Sequence, residues 1–341
     1  MNLPASLSRF VFVLLFIAIS SIGFAQTYTV TDLGVLTGDD YSTARGINAT
    51  GEITGAVGSD RNNLSDIFLY SEGEMTSLGT LGGNTGIGNA INASGQVAGY
   101  STNASKTYRA FLATNGDLVD LGDLGGGSAV AYGINDSGEV VGSAVTSNGS
   151  NHPFLYSNGV ITDLGTLGSP SGTDFWNSAQ GINDAGSVVG TSYNAQGNFL
   201  AFLWSKGTMK SLGTLGGLWS EGYAINSKGQ ATGIAYTKNQ QAHAFLWSGS
   251  KMTDLGVLSS AEPTSWGQAI NDSGVVVGFS DFQDTYHAFV YSGGKMKDLN
   301  SLITAGSGWV LVQAFGINDA GQIVGEGTIN GQEHGFLLTS N

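Results

Sequence analysis

Short apolar runs separated by polar turn residues recur seven times along the chain. One run ends in an Ile-Asn pair whose Asn stands at Asn48, Asn92, Asn135, Asn183, Asn226, Asn271 and Asn318, at intervals of about 43–48 residues. Gly follows three residues later, and again four residues beyond that after a Val/Ile-rich step such as Glu139-Val140-Val141. A Phe then recurs at Phe68, Phe111, Phe154, Phe202, Phe245, Phe289 and Phe336. A Leu, generally inside Asp-Leu-Gly or Ser-Leu-Gly, recurs at Leu33, Leu78, Leu121, Leu164, Leu212, Leu255 and Leu299. Runs this short, bounded by Gly and Asn, predict β-strands. Each unit holds four: strand A ending at Ile-Asn, B around Val-Val-Gly, C at Ala-Phe-Leu-Trp/Tyr and D at Met-x-Asp-Leu-Gly. The Asn-x-x-Gly between A and B predicts a turn capped by the Asn side chain, with Gly supplying the positive φ of a G1 bulge. Asn115-Gly116, Asn158-Gly159, Lys206-Gly207 and Gly293-Gly294 predict primed two-residue turns between C and D. Four antiparallel strands repeated at this period predict the blades of a β-propeller.

The two ends of the repeat array are complementary. The last unit has strands A, B and C (Gly335-Phe336-Leu337-Leu338) and then stops at Asn341, whereas Tyr28–Gly34 reads as a strand D with no A, B or C before it. Three strands and one make a seventh blade, so the expected fold is all-β: a seven-bladed propeller closed by a three-plus-one clasp, with no sheet edge left open. Strand A is expected innermost, because one of its faces is always small. Gly46, Ala90, Gly133, Gly181, Ala224, Ala269 and Gly316 stand two residues before each Asn. Ile immediately before each Asn is expected to pack on that small face of the next blade.

The first 25 residues change the picture of where the chain works. Arg9 is followed by an uncharged run from Phe10 to Ala25, and Gly23-Phe24-Ala25 offers small residues at a cleavage site. The run is short for the roughly 20 residues that span a bilayer, so residues 1–25 read as a secretory signal peptide and residues 26–341 as the propeller. No later segment reads as a membrane span, and the expected location is extracellular or periplasmic. Gly plus Pro make up about 17% of the chain, below the ~25–30% that marks low-complexity disorder. With 12 Lys+Arg against 26 Asp+Glu the net charge is −14, which repels phosphate and argues against nucleic acid. The absence of Cys excludes disulfides, zinc thiolates and thiol nucleophiles.

The run His243-Ala244-Phe245-Leu246-Trp247, followed by Met252-Thr253-Asp254-Leu255-Gly256, and the recurring Gly-Ile-Asn-Asp-x-Gly-x-Val-Val-Gly, resemble the bacterial extracellular HAF repeat family. The resemblance covers essentially residues 27–341. It implies a secreted repeat protein and carries no activity or ligand with it. The triplet departs from His-Ala-Phe at Asp66-Ile67-Phe68, Arg109-Ala110-Phe111, His152-Pro153-Phe154, Leu200-Ala201-Phe202 and His334-Gly335-Phe336, so not every blade requires the His.

Candidate chemistry divides into repeated and unrepeated residues. His152, His243, His287 and His334 share one repeat register, which rotation about an axis holds apart, so a structural use is expected in place of a metal site. The recurring Asp residues of Asp-Leu-Gly and of the A–B turns are expected to hydrogen-bond turns and edges. Binding is expected where the repeats differ, on the face carrying the D–A and B–C loops. There Trp176, Trp219, Trp266 and Trp309, with Tyr41 at the matching place in the first blade, are expected in D–A loops as an arc beside the pore. Arg45, Gln180, Gln268 and Glu221 on the upper part of strand A are the polar partners. This arc suits a carbohydrate or another surface polymer, or a surface protein, and the chain is expected to act as a monomeric, non-enzymatic binding or scaffold module. The alternatives are a purely structural surface protein, or a polysaccharide hydrolase or lyase using Asp39, Asp40, Asp174, Glu221 or Glu262. No Gly-x-Ser-x-Gly, Walker or His-Glu-x-x-His pattern appears. Ca2+ would suit the same acids, but no calcium-loop motif indicates it, and no other cofactor is indicated.

Overall fold

A computed structural model describes residues 27–168, 176–261 and 263–341. The expected signal peptide, Asp174 and Glu262 lie outside the described residues. Seven four-stranded antiparallel sheets are arranged as a β-propeller. Strands A of blades 1 to 7 are Tyr41–Ile47, Gly82–Ile91, Gly125–Ile134, Ser178–Ile182, Gly216–Ile225, Ser265–Ile270 and Trp309–Ile317. They are innermost, since their residues line the axial cavity. Blade 7 is completed by Tyr28–Asp32, which pairs antiparallel with Gln332–Ser340 from Tyr28↔Ser340 to Asp32↔Phe336. Backbone bonds Leu33 N to Gly335 O (3.0 Å) and Asn341 N to Thr27 O (3.0 Å) extend the clasp.

The repeated Asn is explained by its hydrogen bonds. Each Asn side chain is buried at the foot of strand A, and its Nδ2 donates to the backbone carbonyl of the equivalent Asn in the next blade. The bonds run Asn48 to Asn92 (3.0 Å), Asn92 to Asn135 (3.1 Å), Asn135 to Asn183 (3.3 Å) and Asn183 to Asn226 (2.9 Å). They continue Asn226 to Asn271 (3.0 Å) and Asn271 to Asn318 (3.2 Å), and Asn318 to Asn48 (3.0 Å) closes the circle. Each Oδ1 meanwhile accepts from the backbone N–H four residues on, as at Glu52 (2.9 Å), which caps the A–B turn. The turn Asp residues form a second, incomplete circle: Asp184 Oδ1 accepts from Asp136 N (2.9 Å), and Asp319 Oδ1 from Asp272 N (2.8 Å).

The second repeated Gly is required by close approach. A Cβ on Gly190 would stand 2.0 Å from the Ser178 carbonyl oxygen and 2.9 Å from Phe202 Cε1, and Gly142 meets Val130 and Phe154 in the same way. The recurring Phe is therefore laid over a bare Gly on strand B, and all seven Phe are fully buried. Small residues on strand A answer mainly to backbone contact, which corrects the expected Ile-on-Gly packing. A Cβ on Gly46 would lie 3.1 Å from Ala90 Cα, and one on Gly181 3.0 Å from the Tyr223 carbonyl oxygen, so neighbouring inner strands nearly touch. Ile itself makes the expected contact at Gly316, where a Cβ would be 3.4 Å from Ile47 Cγ2.

In blades 3, 5, 6 and 7 a histidine staples strand C to strand D. His152 Nδ1 lies 2.8 Å from Asp163 Oδ2, His243 2.9 Å from Asp254, His287 2.8 Å from Asp298 and His334 2.9 Å from Asp32. The last of these joins the two ends of the chain. Burial by itself would raise the carboxyls of Asp163 and Asp254, but the His bonds and the Gly165 and Gly256 N–H groups outweigh it and lower both. In blade 2 Arg109 takes the His position, 2.8 Å from Asp120 and 2.7 Å from Asp123.

Candidate functional site

Two hollows lie beside one another at the centre and on the D–A/B–C side of the propeller. The first is axial. In every strand A the pairing to strand B skips one residue between the small positions, a β-bulge that re-aims a side chain. The skipped residues are Arg45, Asn89, Tyr132, Gln180, Tyr223, Gln268 and Phe315, and all seven line an axial cavity of about 490 Å³. Of the expected partners, Arg45, Gln180 and Gln268 belong to this ring. Asn89, Tyr132, Tyr223 and Phe315 were not foreseen. Their signal is present in the sequence as one chemically varied position flanked in every repeat by invariably small residues.

The second hollow, of about 690 Å³, opens between blades 3, 4 and 5 and shares Tyr132 and Gln180 with the axial cavity. Trp176, Trp219, Tyr193 and Phe199 give it aromatic walls, while Ser178, Thr191, Gln180 and Glu221 supply polar groups. Trp176 is 68% exposed at its rim. The buried Asn177 anchors the segment behind Trp176, its Nδ2 donating to Asn151 O (3.1 Å) and its Oδ1 accepting from Tyr193 N (2.9 Å). Trp219 is held from behind, stacked on Tyr236 at 4.2 Å and 18° and tilted against Phe199 at 6.5 Å. Tyr193 and Phe199, on the B–C hairpin of blade 4, pack at 4.8 Å and complete the wall. Glu221 accepts from the Tyr223 hydroxyl (3.0 Å), and burial pushes its carboxyl upward. Burial also raises Tyr132, to about 12.

The expected arc is thus divided. Trp176, Gln180, Trp219 and Glu221 come together in the lateral hollow, whereas Tyr41, Trp266 and Trp309 line neither cavity. Trp219, Trp266 and Trp309 also sit on strand A and not in loops, because the inner strands begin earlier than the apolar pattern indicates. Tyr41 is buried at the seam between blades 1 and 7 and donates to Glu326 Oε2 (2.6 Å), whose other oxygen meets Arg61 at 3.0 Å. Trp266 is stacked on Phe279 at 4.7 Å with Tyr286 edge-on, and Trp309 stands edge-on to Phe336 at 6.2 Å. Asp39 accepts from Ser65 Oγ (3.1 Å), away from the hollow. Among the described residues Glu221 is the one carboxylate lining the lateral hollow. Among them, too, no group of three or more His, Asp or Glu is placed to hold a metal ion, and no helix is long and apolar enough to cross a membrane.

No protein-family model and no curated protein matches the sequence. Solved structures resemble it in fold. The acylaminoacyl peptidase of Pyrococcus horikoshii is 11% identical, with a TM-score of 0.57 over 89% of this chain and 53% of that one. A puromycin-hydrolyzing peptidase of Mycobacterium tuberculosis is 12% identical, with a TM-score of 0.54 over 85% of this chain and 50% of that one. TolB of Acinetobacter baumannii is 12% identical, with a TM-score of 0.45 over 71% of this chain and 63% of that one. The chain spans about half the length of the two peptidases, and at these identities the likeness is one of fold.

Proposed function

We propose that this protein is a secreted, non-enzymatic binding or scaffold propeller of the HAF repeat kind, which receives a carbohydrate or another surface polymer in the hollow between blades 3 and 5. The observation that carries the reading is Trp176, a large apolar side chain left 68% exposed at the mouth of a deep, mixed aromatic and polar hollow. An indole pair offers flat faces to the C–H side of a sugar ring, and Gln180, Ser178, Thr191 and Glu221 offer the donors and acceptors that hydroxyls need. Cleavage of a glycosidic bond uses two carboxyl groups on opposite sides of the bond. Glu221 is the one carboxylate among the described residues of the hollow, so binding and hydrolysis are told apart by assay.

A glycan array followed by reducing-end release on each hit tests this. Binding without release is expected, and Trp176→Ala should weaken it about ten-fold, near 1.4 kcal/mol, since an exposed anchor Trp carries contact energy. Trp176 is largely exposed, so its removal should leave the melting temperature nearly unchanged. Release of reducing ends would favour a hydrolase or lyase. Silence across the array would favour a purely structural surface protein.

A further inference from the structure

The axial cavity is lined by a cation, Arg45, with no acidic partner among the described residues. Among the described arginines, Arg61 meets Glu326 at 3.0 Å and Glu333 at 3.3 Å, and Arg109 meets Asp120 and Asp123. Arg45 has no carboxylate within ion-pair distance among the described residues, and its buried Nε has no hydrogen-bond partner. This happens in a chain with more than twice as many acidic as basic residues, and none of the seven bulge positions carries an acid. Arg45 is only half-buried and lines the open axial cavity, so an acceptor can reach its guanidinium from there. The guanidinium carbon lies 4.3 Å from the centroid of Phe315, the bulge residue of the adjoining blade. That contact holds the planar group by one face and leaves donors at its edges.

The remaining walls narrow the choice of anion. Phe315, Tyr132 and Tyr223 contribute aromatic surface that an inorganic ion does not use, while Gln180 and Gln268 add amide groups. Asn89 is already engaged, donating to Ala131 O at 2.7 Å. A planar fork of N–H donors beside aromatic surface matches a carboxylate on an organic body better than a free phosphate. We propose that the axial cavity is a second binding site, for a small organic carboxylate held by Arg45 beside Phe315, in a cavity that Gln180 and Gln268 also line. The site adjoins the lateral hollow and shares Tyr132 and Gln180 with it, but Arg45, Gln268 and Phe315 line the axial cavity alone, so the proposal does not rest on what the hollow binds.

Titration calorimetry of the full propeller tests this with benzoate against benzamide, glucuronate against glucose, and inorganic phosphate. At least one acid should bind with a stoichiometry of one, and its neutral counterpart about ten-fold or more weakly. Arg45→Gln should weaken that acid by about ten- to a hundred-fold, and Arg45→Lys, which keeps the charge and loses the fork, by less. Trp176→Ala should leave acid binding unchanged, which separates this site from the glycan site. The assignment is overturned if neither acid binds, if a neutral counterpart or phosphate binds as tightly, or if Arg45→Gln has no effect. Should Arg45→Gln fail to fold by circular dichroism, Arg45→Lys decides: a loss intermediate in size supports the site, and unchanged affinity refutes it.

Discussion

Asn318 lies where the circle of Asn bonds closes, and replacing it by Ala tests closure directly. Its Nδ2 donates to Asn48 O (3.0 Å) and to Gln322 Oε1 (2.8 Å), and its Oδ1 accepts from Gln322 N (3.0 Å). Asn318→Ala removes all three. The Asn48 carbonyl keeps a bond from Gly51 N (3.2 Å), whereas the Gln322 N–H loses its acceptor. Three net hydrogen bonds of about 1 kcal/mol each, plus one orphaned donor at about 1–3 kcal/mol, give a gross loss near 5 kcal/mol. The Asn ring faces a cavity of about 240 Å³, roomy enough for water to replace some partners, so the expected loss is about 3 kcal/mol. Urea unfolding followed by circular dichroism should move the midpoint accordingly at constant slope. Asn183→Ala at an interior seam, where Nδ2 donates to Asn226 O (2.9 Å) and Oδ1 accepts from Ser187 N (3.0 Å), gives the comparison. The two losses should agree within about 1 kcal/mol if the seam between blades 7 and 1 is like the others. A loss at Asn318 below about 1 kcal/mol, with a normal loss at Asn183, would refute the closed circle.

Two further outcomes follow from the same contacts. Gly190→Ala should destabilise by about 3 kcal/mol or more, read as a fall in urea midpoint, because its Cβ would stand 2.0 Å from Ser178 O with the Phe202 ring behind it. Burial holds the Glu221 carboxyl above its ordinary 4.5, so the folded state binds its proton more tightly than the unfolded chain does. Stability is then lost as pH rises from 4.5 through the raised folded value. Glu221→Gln should lack that loss, and its melting temperature relative to the parent should climb across the window; a pH-independent difference would contradict the assignment.

Much of the fold could be read from the sequence because the constraints repeat. Seven copies of Ile-Asn and of the Leu generally found in Asp-Leu-Gly or Ser-Leu-Gly fix the strand count, and the unmatched Tyr28–Gly34 segment identifies the clasp. The invariance of Gly190 and its equivalents was visible, but its cause was not, since it lies in a carbonyl of strand A and a ring of strand C brought together by sheet register. Three of the four His–Asp pairs stand 11 residues apart in sequence, and antiparallel pairing of C with D makes them neighbours, while His334 meets Asp32 only across the clasp. The site was legible only in part. Trp176, Gln180, Trp219 and Glu221 converge, but whether an aromatic faces a hollow or a neighbouring ring depends on packing, which sent Trp266 to Phe279 and Tyr41 to Glu326. The bulge that turns seven varied residues toward the axis leaves no local signature beyond their variety between small neighbours.

The measurement that bears most directly on function is a crystal structure of the propeller with a bound array hit. Density for a sugar ring against the indoles of Trp176 and Trp219, with hydroxyls within hydrogen-bond reach of Gln180 or Glu221, is the predicted result. A ligand seated on the A–B turn face or along the outer strands, with the hollow between blades 3 and 5 unchanged, would contradict it.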